Sequence, residues 1–279
     1  MLVYLNGQFG PAEEATVPVD DRGFLFADGV YEVARVYGGR PYLMDAHLRR
    51  MAEGLAALRI DFDDTHAIAR AADRLIEENG VDGDGTIYVQ VTRGAAPRKH
   101  AFPPSGTAPT VYVAAKPYTN HPAAWFDDGV EAITTADNRW ARCDIKSISL
   151  LPNVLANQAA HAAGAFEALF VRDGVVIEGS HSNLWGVRDG RLITYPASNY
   201  ILAGITRTRV FELADELGIP AVEGMIYQEE LFDMDELFLS GTTTEVLPIV
   251  RVDGREIVDG EPGPVTRKLL KAYRAGLPG

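Results

Sequence analysis

The sequence predicts an α+β fold in two domains, the second rich in hairpins, and three observations support this. Asp173-Gly174, Asp189-Gly190 and Asp253-Gly254 each sit between β-rich runs, and Asp-Gly in that setting marks a tight hairpin turn. Apolar residues recur at helical spacing in both halves of the chain. The two halves meet at a stretch around Pro117–Ala124 whose prolines, Asn and Thr suit a linker. The boundaries that follow are 1–117 for a small α/β domain, 118–124 for the linker and 125–279 for a larger domain.

The elements follow in chain order. Asp45 is placed to cap a helix whose apolar stripe is Leu48, Met51, Leu55 and Leu58. A second helix is predicted over 65–79, with Ile68, Ala72, Leu75 and Ile76 facing inward and Gly80 as its stop. Residues 86–92 (Thr-Ile-Tyr-Val-Gln-Val-Thr) and 110–114 read as strands. In the second half, helices are predicted over 153–163, 206–217 and 264–275, and a strand over 236–239. No internal repeat or low-complexity tract is present.

Composition narrows the function. The chain has 279 residues, 47% of them apolar, and this fits a globular protein with a substantial core. Its net charge of -13 disfavours nonspecific attraction to nucleic acid or anionic membrane. No run of about 18 apolar residues suggests a membrane span. The opening residues do not read as a signal peptide. The single cysteine, Cys143, excludes an internal disulfide and a cysteine-cluster metal site. The expected compartment is the cytoplasm, with no nucleic-acid or membrane partner.

Lys146 lies in Cys-Asp-Ile-Lys-Ser-Ile-Ser-Leu-Leu-Pro. Its apolar neighbours Ile145, Ile148, Leu150 and Leu151 predict a largely buried segment. Burial lowers a lysine pKa, and a neutral amine can attack an aldehyde. Taken alone, the segment equally fits a lysine at a strand end with its ammonium in water, the commoner fate of lysine. Glu178 ends an apolar strand before a Gly-Ser turn. Such a carboxylate can hold a proton on a ring nitrogen, or simply sit in a turn or at a helix cap.

Two segments are suited to a phosphate. Leu202-Ala203-Gly204-Ile205-Thr206-Arg207 reads as a turn into a helix, whose first amides attract anions. Ser240-Gly241-Thr242-Thr243-Thr244 is a second hydroxyl-rich turn, and Arg50 supplies a countercharge. Either turn alone is equally an ordinary cap or loop. Arg98-Lys99-His100 reads as a solvated basic loop or, with Tyr31, as a carboxylate trap.

In this order the segments resemble the fold-type IV pyridoxal-phosphate enzymes, a family that includes D-amino-acid aminotransferases, branched-chain aminotransferases and aminodeoxychorismate lyase. The spacing is similar to the D-amino-acid aminotransferase branch over nearly the whole chain. The matching stretches are Asp21-Arg22-Gly23 through Phe26, Asp28-Gly29-Val30-Tyr31-Glu32, Val91-Thr92-Arg93-Gly94 with Pro97-Arg98 and His100, and Arg139-Trp140 with Arg142 through Ser147. The resemblance implies pyridoxal 5'-phosphate as cofactor, Lys146 as the Schiff-base lysine and Glu178 as partner of the ring nitrogen. It implies that Arg50, Ile205, Thr206 and Thr242 hold the phosphate and that Leu202 packs on the ring.

By the same resemblance, Tyr31, Arg98 and His100 bind the substrate α-carboxylate. The loop would serve a neighbouring subunit's site, which implies a homodimer with shared active sites. The implied activity is transamination between D-amino acids, such as D-alanine and D-glutamate, and 2-oxo acids, such as 2-oxoglutarate and pyruvate. A branched-chain L-amino-acid or amine aminotransferase of the same fold is the alternative. A lyase on this fold, or a non-catalytic phosphate-ligand binder, is a further contrast. Two positions depart from the family's pattern. His181 stands where a small hydroxyl residue is expected, and Gly241 where serine is expected beside the phosphate.

Overall fold

The structure is a computed structural model and describes residues 1–278. The chain forms two compact units. One consists chiefly of Met1–Asn120 with Ile145–Ser149, the other of His121–Asp144 with Leu150–Leu277. The α+β expectation holds, since each unit combines helices with a sheet.

The first unit contains strands β1 (Leu2–Leu5), β2 (Gln8–Pro11), β3 (Gly29–Tyr37), β4 (Arg40–Pro41), β5 (Gly85–Thr92) and β6 (Thr110–Pro117). Its helices are α1 (Arg22–Phe26), α2 (Met44–Leu58) and α3 (Thr65–Glu78). The strands form a six-stranded sheet in the order β2-β1-β6-β5-β3-β4. Alternation along the strands puts Val30, Ala34, Val36, Ile87, Val89, Val91, Val111, Val113 and Ala115 in one core. The apolar stripes of α2 and α3, including Met51, Leu55, Ile68 and Leu75, join that core. Glu32 occupies the same row of β3 as Val30 and Ala34, so its carboxylate is buried.

The second unit contains strands β7 (Val130–Ala136), β8 (Glu167–Arg172), β9 (Val175–Gly179), β10 (Asn183–Arg188), β11 (Arg191–Thr194), β12 (Ala221–Glu223), β13 (Ile226–Tyr227), β14 (Glu236–Gly241), β15 (Glu245–Val252) and β16 (Arg255–Glu256). Its helices are α4 (Ala123–Asp127), α5 (Leu151–Ala162), α6 (Ile205–Glu216) and α7 (Pro264–Ala275). The sheet has ten strands, in the order β12-β11-β10-β14-β15-β7-β8-β9-β13, with β16 paired to β15. The three Asp-Gly pairs connect β8 to β9, β10 to β11 and β15 to β16, each pair antiparallel. In each turn both residues have positive φ, from 50° to 52° for Asp and 71° to 78° for Gly. This is the type I′ geometry that matches strand twist.

Several local expectations need correction. Asp45 does not cap α2; Leu43, in a left-handed conformation, precedes the helix and Asp45 lies in its first turn. Its charge there favours the helix dipole instead. Helix α5 begins at Leu151 rather than 153, with Pro152 in its first turn, where a missing N–H costs nothing. Ala123 and Ala124, expected in the linker, open α4. The segment around Lys146 is less buried than its apolar composition predicts. Ile145 is buried, but Lys146 and Ile148 are half-buried and Leu151 is 70% exposed. Among the described residues, no helix is long and apolar enough to cross a membrane.

Candidate active site

The first unit positions Lys146 through the backbone. Ile145–Ser149 lies along the start of β3, where Ser147 bridges Val30. Tyr31 N–H donates to the Lys146 carbonyl (3.0 Å), and Ile148 N–H donates to that of Gly29 (3.1 Å). These bonds set the Lys146 side chain over the Tyr31 ring, with Nζ 4.3 Å from its centroid. The sheet face that carries Tyr31 also carries Tyr88 and Tyr112. Their rings follow one another at 6.0 and 6.2 Å. Burial, and then the neighbouring Tyr31 and Tyr112, push the Tyr88 phenol up to about 12.

Arg50 and His47, both on α2, converge on Glu32. Arg50 donates from Nε to Glu32 Oε1 and from Nη2 to Oε2, each at 2.7 Å. His47 Nδ1 lies 2.7 Å from Oε2. Desolvation alone would raise the Glu32 carboxyl. The hydrogen bonds from Arg50 and His47, with the charges of Arg50 and Lys146, outweigh it and hold the group at about 2. Burial lowers the His47 pKa, so His47 serves Glu32 as a neutral donor. Arg50 is thus locked in a bidentate fork on the edge of the apolar core.

Arg98 and His100 are exposed on the loop that follows β5. Both lie beside the ring of Phe26, which ends α1. Arg22 reaches the same loop and donates from Nη1 to the Lys99 carbonyl (2.7 Å).

In the second unit Glu178 is next to last in β9 and is 4% exposed. Arg139 Nη1 donates to its Oε1 at 2.5 Å. Leu202 N–H (3.1 Å) and Asn183 Nδ2 (3.3 Å) donate to Oε2. Burial dominates and pushes the Glu178 carboxyl up to about 7, although Arg139 and the Leu202 amide pull it down. Arg139 is itself fixed by Asp137 and stacks on Phe170 at 4.1 Å.

Asn183 ties three predicted segments together. Its Nδ2 also donates to the Leu202 carbonyl (2.8 Å), and in the β10–β14 ladder it is paired with Ser240. A Cβ on Gly204 would collide with Asn183 Oδ1, so glycine is required where the chain enters α6. The structure therefore gathers Glu178, Leu202, Ile205, Thr206 and the Ser240–Thr244 turn within one unit. Lys146, Tyr31, Arg50, Arg98 and His100 belong to the other.

The residues of the second unit fit pyridoxal 5'-phosphate at its phosphate and its ring nitrogen. Gly204 caps the twelve-residue helix α6 without a side-chain bond, which leaves its first amides to an anion. The Thr206 hydroxyl is on that first turn, and Thr244 Oγ1 in the opposite turn is a buried oxygen without a partner in the protein. Glu178 is a carboxyl that favours a proton shared with a basic nitrogen. Lys146 is the amine the aldehyde requires.

The two unexpected residues have local explanations. His181 Nδ1 lies 3.0 Å from Oε1 of Glu167, a fully buried carboxylate. The Ser180 and Ser182 hydroxyls also donate to Glu167. A Cβ at Gly241 would press on Thr244 Oγ1 at 3.1 Å, so a serine there would crowd the turn. Arg139, Asn183, Glu32 and His47 received no individual role from the sequence. Arg139 reaches Glu178 across 39 residues and His47 reaches Glu32 across 15, and no local pattern reports such pairings.

Comparison with known proteins is consistent with this geometry. The profile of the family Amino-transferase class IV matches residues 29–252. A D-alanine aminotransferase of Bacillus licheniformis is 40% identical over 274 residues, covering 98% of this chain and 96% of that protein. The crystal structure of the branched-chain amino acid aminotransferase of Escherichia coli superposes with a TM-score of 0.92 at 27% identity, over 99% of this chain and 94% of that one. A hypothetical aminotransferase from Mycobacterium tuberculosis in a PLP-bound form gives a TM-score of 0.84 at 26% identity, over 98% of both chains.

Two measurements test the buried carboxylates. Glu32→Gln should cost roughly 3–5 kcal/mol of stability in denaturant unfolding near neutral pH, because Arg50 loses its buried countercharge. Removing Glu32 should also remove a loss of stability in acid, since its depressed pKa contributes stability that disappears as pH falls from the ordinary value of 4.5 towards about 2. Glu178 has the opposite sign. Its raised pKa contributes stability below 4.5 that is lost as pH rises through about 7. Unfolding of the cofactor-free protein between pH 5 and 8 should show that decline, and Glu178→Gln should flatten it.

Proposed function

The chain belongs to the class IV aminotransferases, and we propose that it is a pyridoxal 5'-phosphate-dependent D-amino-acid transaminase with Lys146 as its catalytic lysine. The observation that carries the cofactor assignment is the placement of Glu178, a buried carboxyl that accepts from the Leu202 amide just before the first turn of α6. The 40% identity to a D-alanine aminotransferase over nearly the full length supports D-amino acids as substrates. Branched-chain L-amino acids are the second reading, favoured by the fold's close match to a branched-chain aminotransferase.

When bound, the cofactor supplies an electron sink that makes the substrate's α-proton removable. Lys146 Nζ would be the amine that holds the cofactor through its aldehyde carbon, and as a free amine it would take the substrate's α-proton as a base and return a proton as an acid. Its place over the Tyr31 ring supports this role. Glu178 keeps a proton on the ring nitrogen, with Arg139 and Asn183 fixing its orientation. Ile205 and Thr206, with Thr242 and Arg50, bind the phosphate. Leu202 packs against the ring. Tyr31, Arg98 and His100 bind the α-carboxylate, and the side on which the carboxylate is anchored selects which face of the α-carbon meets the base.

The chain works as a cytoplasmic homodimer whose Arg98–His100 loop completes the neighbouring subunit's site. Residues 1–117 supply the carboxylate loop, and the chain beyond the connecting stretch supplies most of the cofactor contacts. The resemblance of the sequence motifs supports both statements. Lys146→Ala should abolish the visible absorbance of the bound cofactor and steady-state transamination. Persistence of both would remove Lys146 from its role. With 2-oxoglutarate as acceptor, D-alanine should be consumed and L-leucine should not. The reverse preference would establish the branched-chain reading.

A further inference from the structure

Phe26 ends the short helix α1, and three side chains of the first unit meet at its ring. The Arg98 guanidinium carbon lies 5.2 Å from the ring centroid and that of Arg22 lies 4.8 Å from it. The His100 ring lies at 5.6 Å, tilted by 45°. Arg98 and His100 are exposed, whereas Arg22 is buried and Phe26 half-buried. The ring is therefore a wall for two otherwise mobile groups.

The loop's backbone path is held by other bonds. Arg22 N–H donates to the Gly94 carbonyl (2.9 Å), and Ala96 N–H donates to that of Asp20 (3.1 Å). Arg22 Nη1 reaches the carbonyls of Lys99 (2.7 Å) and Ala101 (3.5 Å), while its Nε is fixed by Asp28 (2.8 Å). None of these bonds uses the Phe26 ring. The ring thus faces Arg98 and His100 directly, while the loop's backbone is held by hydrogen bonds of Arg22, whose guanidinium also stacks on the ring.

Ordering an exposed, rotamer-rich side chain on binding costs free energy. A cation held over an aromatic face in water gains a similar amount. The two are comparable, so a ring can order an arginine before ligand arrives. We propose that Phe26 is a positioning residue that preorganises Arg98 and His100 for a substrate carboxylate and so sets affinity for it. The inference rests on the proposed carboxylate role of Arg98 and His100.

The test uses the cofactor-loaded protein and a simple monocarboxylate, propionate, as a probe. Its dissociation constant is measured by calorimetry for the wild type, Phe26→Leu, Phe26→Tyr and Arg98→Met, alongside the KM and kcat for D-alanine. Phe26→Leu removes the ring and should weaken propionate and raise KM by about two- to fivefold, with a much smaller change in kcat. Phe26→Tyr keeps the ring and should bind about as well as the wild type. A merely structural role would move kcat and melting temperature together and would not be rescued by tyrosine. If Phe26→Leu does not fold, Phe26→Met carries the same comparison. Wild-type affinity in the ring-less variant, with weakened binding in Arg98→Met, overturns the inference and leaves the carboxylate site standing. Wild-type affinity in Arg98→Met overturns both.

Discussion

A carboxylate removed from water must find donors or take up a proton, and three of the carboxylates this chain buries meet that requirement in different ways. Glu32 is 1% exposed and ionised because a bidentate arginine and a histidine surround it. Glu167 is fully buried and stays ionised against His181 and two serine hydroxyls. Glu178 has Arg139, one amide and Asn183, and these donors do not offset its desolvation. The difference separates scaffold from chemistry. The first two are satisfied within the protein, whereas Glu178 is left poised between its two protonation states near neutral pH.

Each of these groups organises the residues around it. Glu32 holds Arg50 on α2 and shares the field of Lys146. Glu167 gathers the Ser180–Ser182 turn directly after Glu178, and Asn153 of α5 donates to the Ser180 carbonyl (2.8 Å) from the other side. Asn183 then joins that turn to Leu202. His181 therefore adds a partner for a buried charge that hydroxyls alone would otherwise satisfy, and this is compatible with an unchanged ring-nitrogen partner.

Rigid elements carry Lys146 and Glu178, and an exposed loop carries the groups proposed to meet the substrate. Lys146 is tied to the start of β3 by backbone bonds, and Glu178 is itself a strand residue. Arg98 and His100 lie on an exposed loop whose backbone is held by Arg22. Reacting groups placed on scaffold elements hold their geometry better than groups on loops. The loop gains order from side-chain contacts instead.

The sequence by itself determined what depends on near neighbours. Helical patterning located five of the helices, period-two patterning located strands at 86–92, 110–114 and 236–239, and Pro264–Ala275 has the bounds its periodicity predicted. Asp-Gly chemistry located the three hairpins, because a type I′ turn needs left-handed conformations that few residue pairs tolerate. Motif spacing singled out Lys146, Glu178, Arg98 and His100. Tertiary structure alone decided how those groups are supported. Arg139 reaches Glu178 across 39 residues and Arg22 reaches Lys99 across 77. The half-burial of Lys146 also came from the packing of its segment against β3, against the indication of its apolar neighbours. Burial and charge pairing are properties of what folds next to a residue, and a linear pattern contains no term for neighbours so far away in the chain.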